Sequence, residues 1–300
     1  MASGGSRTVV LLALTANALI AVLKFVAAGL SGSAAMLAEA FHSLADTGNQ
    51  LFLLRGTSAS RLAASARYPF GRGKEVYFWS FLVAVVLFVG GGVVAVMEGI
   101  DRLRHPHGDE GGLVFNLIVL GIAAAFEMLI AFRPAVKEFN RRRRGRAVWR
   151  TVRESKDPTL LVVLFEDSVA VLGILVAVTG LLLHEVTGDP LWDGAASIVI
   201  GVLLMATAWI LAVETKGLLL GESADRETRS RIRGATLAVP GVESIARLLT
   251  MHLGPDEVLV NMDLVVEDVS RGGEVVETVE RAIRAAVPQA TRVFIEVGPE

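Results

Sequence analysis

Apolar residues crowd into six stretches of the chain, roughly 8–30, 33–55, 76–100, 112–133, 158–184 and 191–219. Each is close to the ~20 residues that a helix needs to cross a bilayer. A segment in lipid must satisfy its own backbone, so helices are the expected form. The first stretch follows Arg7 and has the outline of a secretion signal. At about 23 residues it is longer than a signal core and runs straight into the next stretch, so it reads as a retained membrane helix. None of the six is uniformly apolar. The second contains Glu39, His42, Asp46 and Asn49, the fourth Asn116 and Glu127, and the fifth Glu166 and Asp167. Polar groups at these depths predict an α-helical membrane bundle of six transmembrane helices around a polar interior.

Beyond residue 220 the pattern changes. Residues 224–238 form a charged amphipathic segment ended by Pro240-Gly241. Two strands follow, 243–253 and 257–267, joined by Gly254-Pro255-Asp256. In the second, Val258, Val260, Met262, Leu264 and Val266 recur at period two. Residues 273–286 gather Val276, Val279 and Ile283 on one helical face, and 291–297 make a last strand. The order αββαβ predicts a small α+β domain, with residues 1–220 as the membrane domain and 221–300 as the tail. A domain of this size has a marginal core of its own, which favours pairing with a second copy.

Composition sharpens the membrane reading. Of the 300 residues, 53% are hydrophobic, and the mean hydropathy is +0.55, above the range of ordinary soluble domains. The net charge of -2 says little about partners, but its placement does. Basic residues gather in the connection that holds Arg55, Arg61, Arg67, Arg72 and Lys74, and in the one from Arg133 to Lys156. The alternate connections are poor in them. The positive-inside rule then puts both termini and both basic connections in the cytoplasm. Between two spans, the RRRRGR run at 141–146 reads as a topology determinant that touches anionic lipid, not as a nucleic-acid patch. The chain has no cysteine, so any metal must be held by nitrogen and oxygen.

The candidate chemistry lies in the second and fifth spans. Glu39, His42, Asp46 and Asn49 follow one another at spacings of three, four and three, which places them on one helical face. His42 and Asp46, four apart, can both reach one ion, and imidazole with carboxylate suits zinc and its first-row neighbours. The alternative is a polar helix contact. Glu166 and Asp167 are adjacent carboxylates in an apolar helix. One can bind the ion while the other carries a proton or pairs with a basic residue, and spacing leaves the assignment open. Asn116 and Glu127, eleven apart, return to nearly the same helical angle and suit a second polar tier, an entry path or an interhelical contact. Lys24 and Glu98, toward the ends of their spans, are expected to snorkel. In the tail, His252 and Asp263 on consecutive strands form a weak candidate for a regulatory ion. His105, His107 and His184 read as ordinary solvated histidines.

Taken together, LSGSAAMLAEAFHSLADTGNQ, YPFGRGKEVYFWSFL, LFEDSVAVLG and GDPLWDGAASIVIG give the chain a resemblance over nearly its whole length. It resembles the cation diffusion facilitator family of zinc-type transporters, and most of all the branch that contains the mitochondrial zinc transporters of animals. The resemblance implies a transport site made by two residues of the second helix and two of the fifth. On this chain the first pair is His42 and Asp46. With Gly173 as the anchor, the fifth-helix aspartate is Asp167, and the position four before it, usually His or Asp, is Val163. Glu166 is the substitute at hand, giving an oxygen-richer site that admits manganese, iron or cobalt besides zinc. The family also implies homodimers joined through a ferredoxin-like tail.

The expected function is divalent-cation efflux coupled to proton entry by alternating access, in a bacterial inner or plasma membrane. The expected substrate is Zn2+ or another divalent cation (Mn2+, Fe2+, Co2+), with no resident cofactor and no nucleic acid. A membrane-bound metal sensor or scaffold without transport is the alternative. A membrane enzyme is weaker, since no nucleophile or cofactor motif accompanies Glu166 and Asp167.

Overall fold

The computed structural model describes residues 4–105, 112–143 and 158–298. His107 and the basic run from Arg144 onward lie outside the described residues. The chain packs as two units. One holds Met1–Arg55 and Trp79–Glu214, the other Gly56–Phe78 and Thr215–Glu300.

The first unit is helical. α1 spans Gly4–Ser31, α2 Ala34–Ser60, α3 Glu75–Arg104, α4 residues 113–143, α5 Pro158–Thr187 and α6 Leu191–Leu220. Two of these helices widen to π geometry, α3 over Leu87–Val93 and α4 over Glu127–Phe132. The usual distribution of polarity is inverted. Leu19, Val114, Leu129, Leu175 and Trp209 are exposed on the outside, whereas Lys24, Glu39, His42, Asp46, Asn49, Glu127, Glu166 and Asp167 are buried. That is the pattern of a bundle solvated by lipid. Among the described residues, α3, Leu164–Thr187 of α5 and α6 are long and apolar enough to cross a membrane by composition alone. The polar face of α2 dilutes its hydropathy.

Two features set the frame of this unit. First, Asp193 in the opening turn of α6 caps α2. Its carboxylate accepts from Ser33 Oγ at 2.6 Å, from the Ala34 N–H at 2.6 Å and from the Ala35 N–H at 3.2 Å. Ser33 Oγ in turn accepts from the Met36 N–H at 3.0 Å, and Arg102 of α3 lies 3.6 Å from Asp193. The orphan N–H groups that open α2 are thus satisfied inside the protein. Second, α3 and α6 meet through glycines. A methyl group on Gly201 would come within 2.7 Å of the Gly92 carbonyl, and one on Gly99 within 2.6 Å of the Gly194 carbonyl. Small residues let the two backbones approach closely, a common membrane-helix contact.

The second unit contains the αββαβ tail. α7 spans Arg226–Leu237, β1 Val242–Gly254, β2 Glu257–Val266, α8 Gly272–Ala286 and β3 Arg292–Gly298. β2 is central, antiparallel to β1 and parallel to β3. This is the expected ferredoxin-like arrangement. Val258, Val260, Met262 and Leu264 alternate into a core shared with Ile232 of α7 and with Val275, Val279 and Ile283 of α8. Residues Gly56–Phe78 pack here as well. The Phe70 ring meets Phe294 edge-on at 6.4 Å, Gly73 abuts the Leu253 carbonyl with no room for a side chain, and Lys74 Nζ donates to the Leu219 carbonyl at 3.4 Å.

Asp225 caps α7, accepting from the Thr228 N–H at 2.9 Å and Thr228 Oγ at 2.7 Å. Burial works to raise its pKa, but the bonds from Thr228 and from the Glu227 N–H, with nearby His252, prevail and hold it below the ordinary 3.8. A lowered folded pKa stabilises above the unfolded value and is lost as pH falls through the folded one.

Two outcomes follow. Asp193→Ala should lower unfolding stability in detergent by about 3 kcal/mol, since it removes a multiple cap and leaves Arg102 without that partner; Asp193→Asn should fall between it and the parent. Asp225→Ala should cost about 1 kcal/mol at pH 7, and its deficit should shrink in melts of the full chain run progressively below pH 3.8.

Candidate functional site

α2 presents its polar face to α1 on one side and to α5 on the other. His42 Nδ1 and Asp46 Oδ1 stand 3.4 Å apart, one turn from each other, and both residues are buried. From α5, Glu166 reaches them: its carboxyl is in hydrogen-bonding contact with that of Asp46, and its Oε1 accepts from Asn49 Nδ2 at 2.5 Å. Asp167 is buried beside it, at an angle about 100° further round the helix. It lies within electrostatic reach of Glu166 and of Glu127, where the π segment of α4 begins.

The fold thus brings His42, Asp46 and Glu166 into one chain of neighbours, extended by Asn49. Among the described residues, no three His, Asp or Glu side chains are already gathered closely enough to hold a metal ion. What the cluster does have is open valence. Both His42 ring nitrogens, Asp46 Oδ1 and Asp167 Oδ2 are buried with no hydrogen-bond partner. Buried polar atoms without partners are uncommon and costly, and neutral imidazole with carboxylate oxygen is a donor set for first-row divalent ions. The side chain of Val163 lies outside the described ones.

A second layer adjoins the first. Lys24 does not snorkel as expected: it is 1% exposed, and its Nζ donates to Glu39 Oε2 at 2.8 Å and to Ser43 Oγ at 2.8 Å. The physical reason is depth. Lys24 lies seven residues from the end of α1, about 10 Å along the axis, and a buried carboxylate offers it a nearer partner than the interface does. That distance is the signal by which the sequence could have revealed it. Asn116 is buried near the start of α4 with Oδ1 unpartnered. In the tail, the strand register separates His252 from Asp263. His252 faces Val258, while Asp263 faces Arg247 and pairs with it at 2.9 Å. The weak candidate pair for a regulatory ion is therefore not assembled. His105 is exposed, 3.1 Å from Asp101.

Residues 10–220 match the cation efflux transmembrane domain, and residues 224–300 match the cytoplasmic domain of cation efflux proteins. The chain belongs to the cation efflux family. Its relatives include the mitochondrial proton-coupled zinc antiporter SLC30A9 of Homo sapiens, 34% identical over 83% of this chain and 44% of that one. They also include metal tolerance protein C4 of Arabidopsis thaliana, 31% identical over 76% and 50% respectively, and the zinc transporter ZitB of Escherichia coli, 28% identical over 77% and 68%. The chain therefore spans about half the length of the first two. A solved C-terminal domain of MamM aligns with 25% of this chain and 96% of that one at 21% identity, with a TM-score of 0.24. As a cation efflux protein, the chain has its polar residues in the interior of a transmembrane helical domain, followed by a cytoplasmic-type tail.

The Asn49–Glu166 bond ties α2 to α5 beside the carboxyl pair. Asn49→Ala should lower stability by about 1–3 kcal/mol, because it strands a buried carboxylate. In a Glu166→Gln background the same change should cost less than half as much, read as the coupling term of a double-mutant cycle on melts in detergent.

Proposed function

We propose that the protein exports a divalent cation of the zinc type from the cytoplasm in exchange for protons, with His42, Asp46, Glu166 and Asp167 as the ligands. The observation that carries this is the convergence of unpartnered His42 and Asp46 atoms of α2 with the Glu166 carboxyl of α5 in a buried layer. The zinc transport in the names of the relatives supports the same reading.

The chemistry follows from competition for lone pairs. Two carboxyl groups in hydrogen-bonding contact share a proton when no cation lies between them. A divalent ion entering from the cytoplasm displaces that proton, because a ligand must be deprotonated to bind metal. His42 then contributes nitrogen, and Asp46 and Glu166 contribute oxygen. Asp167 joins when α5 turns by part of the 100° that separates it from Glu166. Facing outward, the loaded site meets protons that reclaim the carboxylates and expel the ion, so direction follows the proton gradient. The interior groups exchange cations and make or break no covalent bond to a substrate, which is transport and not catalysis.

Zinc is the proposed cargo, and the oxygen-rich ligand set also admits manganese, iron and cobalt. The protein works as a homodimer joined through the tail, in a bacterial inner or plasma membrane with both termini cytoplasmic; the basic connections and the cytoplasmic-domain match of the tail support that orientation.

In proteoliposomes with an imposed pH gradient, His42→Ala, Asp46→Ala and Glu166→Gln should each cut zinc flux by about 100-fold or more, since loss of even an outer-shell partner of a metal ligand costs 10–100-fold. Parent-level flux from any of the three would reject the site, and metal binding that shifts the tail without vesicle flux would favour a sensor.

A further inference from the structure

The Lys24–Glu39 pair is not needed to fold an ordinary bilayer helix. It puts two charges where lipid penalises both. Apolar residues of similar volume at 24 and 39 would generally be no less stable than a buried ion pair. Its placement sets it apart. Glu39 is one turn before His42 on the same face of α2, and Ser43, the other partner of Lys24, is the residue next to His42. The Lys24 ammonium also lies within electrostatic reach of His42, Asp46 and Glu127. The second oxygen of Glu39, Oε1, is buried without a hydrogen-bond partner. It points at Gly173 of α5, where even a methyl group would overlap it. α1, α2, α4 and α5 thus surround an acidic layer in which one ammonium is held against one carboxylate.

We propose that Lys24 is a tethered counter-cation of the transport site: clamped to Glu39 and Ser43 one turn from His42, it keeps Glu39 from acting as an extra ligand and sets how tightly the interior holds a divalent ion. The inference rests on the transport-site reading given above. Coulomb interactions are strong in a low-dielectric interior. With Lys24 present, an incoming ion meets the attraction of the His42–Asp46–Glu166 layer less the repulsion of a fixed positive charge. Without it, Glu39 becomes an uncompensated carboxylate within a turn of the site. The ion is then held more tightly and leaves more slowly. Lys24 touches neither the ion nor its ligands, so its role is one of positioning and charge.

The test uses the full chain, with Zn2+ as the probe. Zinc binding is measured by calorimetry in detergent and zinc flux in proteoliposomes. Lys24→Met should tighten binding and lower KM by about tenfold, equivalent to about 1.4 kcal/mol, while reducing the maximal rate. Glu39→Gln, which leaves Lys24 unpaired, should raise KM by a similar factor. The double variant Lys24→Met/Glu39→Gln should return KM to within about threefold of the parent, and Lys24→Arg should keep the parent's split between KM and maximal rate. A merely structural pair would give the double variant the worst melt, and all variants would share one direction of KM change. A rise in KM for Lys24→Met, or a double variant no closer to the parent than either single, overturns the proposal. Should Lys24→Met fail to fold, Glu39→Gln decides: an unchanged or lowered KM sinks it. Failure of the transport-site reading looks different, because His42→Ala and Asp46→Ala would then bind and carry zinc like the parent.

Discussion

Charge buried in a lipid-solvated bundle must be compensated inside the protein, and that constraint organises everything else in the helical unit. Glu39, Asp46, Glu127, Glu166 and Asp167 are all buried, and Lys24 lies within electrostatic reach of Asp46 and Glu127 as well as against Glu39. Carboxylates cannot all be ionised there without counter-charges. The available counter-charges are Lys24, protons and an external cation. Lys24 is fixed and pairs with Glu39. On the proposed transport reading, the remaining groups alternate between protons and a metal ion. Exchange of the two, as proposed above, suits an interior that carries more acidic groups than basic ones.

Such an interior functions only if its walls hold their positions while its charge changes. Asp193 meets part of that need by gathering the start of α2, the first turn of α6 and Arg102 of α3 around one carboxylate. The glycine contacts of α3 with α6 meet another part, since backbones in direct contact leave little room to slide. The helices that bring the acidic groups together are joined differently. α2 and α5 meet through Asn49, Asp46 and Glu166, and α1 and α2 through Lys24 and Glu39. Those are polar contacts that include ionisable groups, and their strength depends on charge. The π segment of α4 begins at Glu127, and π geometry in a helix frequently marks a functional position.

The hydrophobic pattern makes most of this legible. Six apolar runs and the period-two strand of the tail follow directly from side-chain periodicity, and the observed elements fall within a few residues of them, except that α4 runs ten residues past the expected end at 133, to residue 143. His42 and Asp46 stand out because polar residues spaced three and four apart on a lipid-buried helix are costly unless something binds them. Lys24 escapes such a reading because a lysine toward the end of a span has a default interpretation, and its partner is fifteen residues away on another helix. Asp193 is hidden for a similar reason: an acid in the first turn of a helix looks like a local dipole partner, yet it caps a helix 160 residues distant. The division of labour between Glu166 and Asp167 turns on which of two neighbouring angles faces α2, a tertiary matter. The separation of His252 from Asp263 is likewise decided by strand register, which sequence alone fixes only loosely.

Selectivity follows from the same balance. The buried layer offers one imidazole and several carboxylates, with no thiolate anywhere in the chain. Such a donor set ranks divalent ions weakly by softness, so discrimination falls to geometry and net charge. Net charge is where Lys24 matters. An interior carboxylate freed of its ammonium would favour any small dication, whatever its preferred coordination, and would hold it past the point of useful release. With His42 as a ligand, as proposed, pairing Glu39 with Lys24 confines the attraction to the His42 level, where imidazole geometry bears on which ion fits. A carrier must bind its cargo well enough to load and weakly enough to unload. On the proposed reading, the buried lysine held against Glu39, one turn before His42, is the fixed charge that limits the first requirement for the sake of the second.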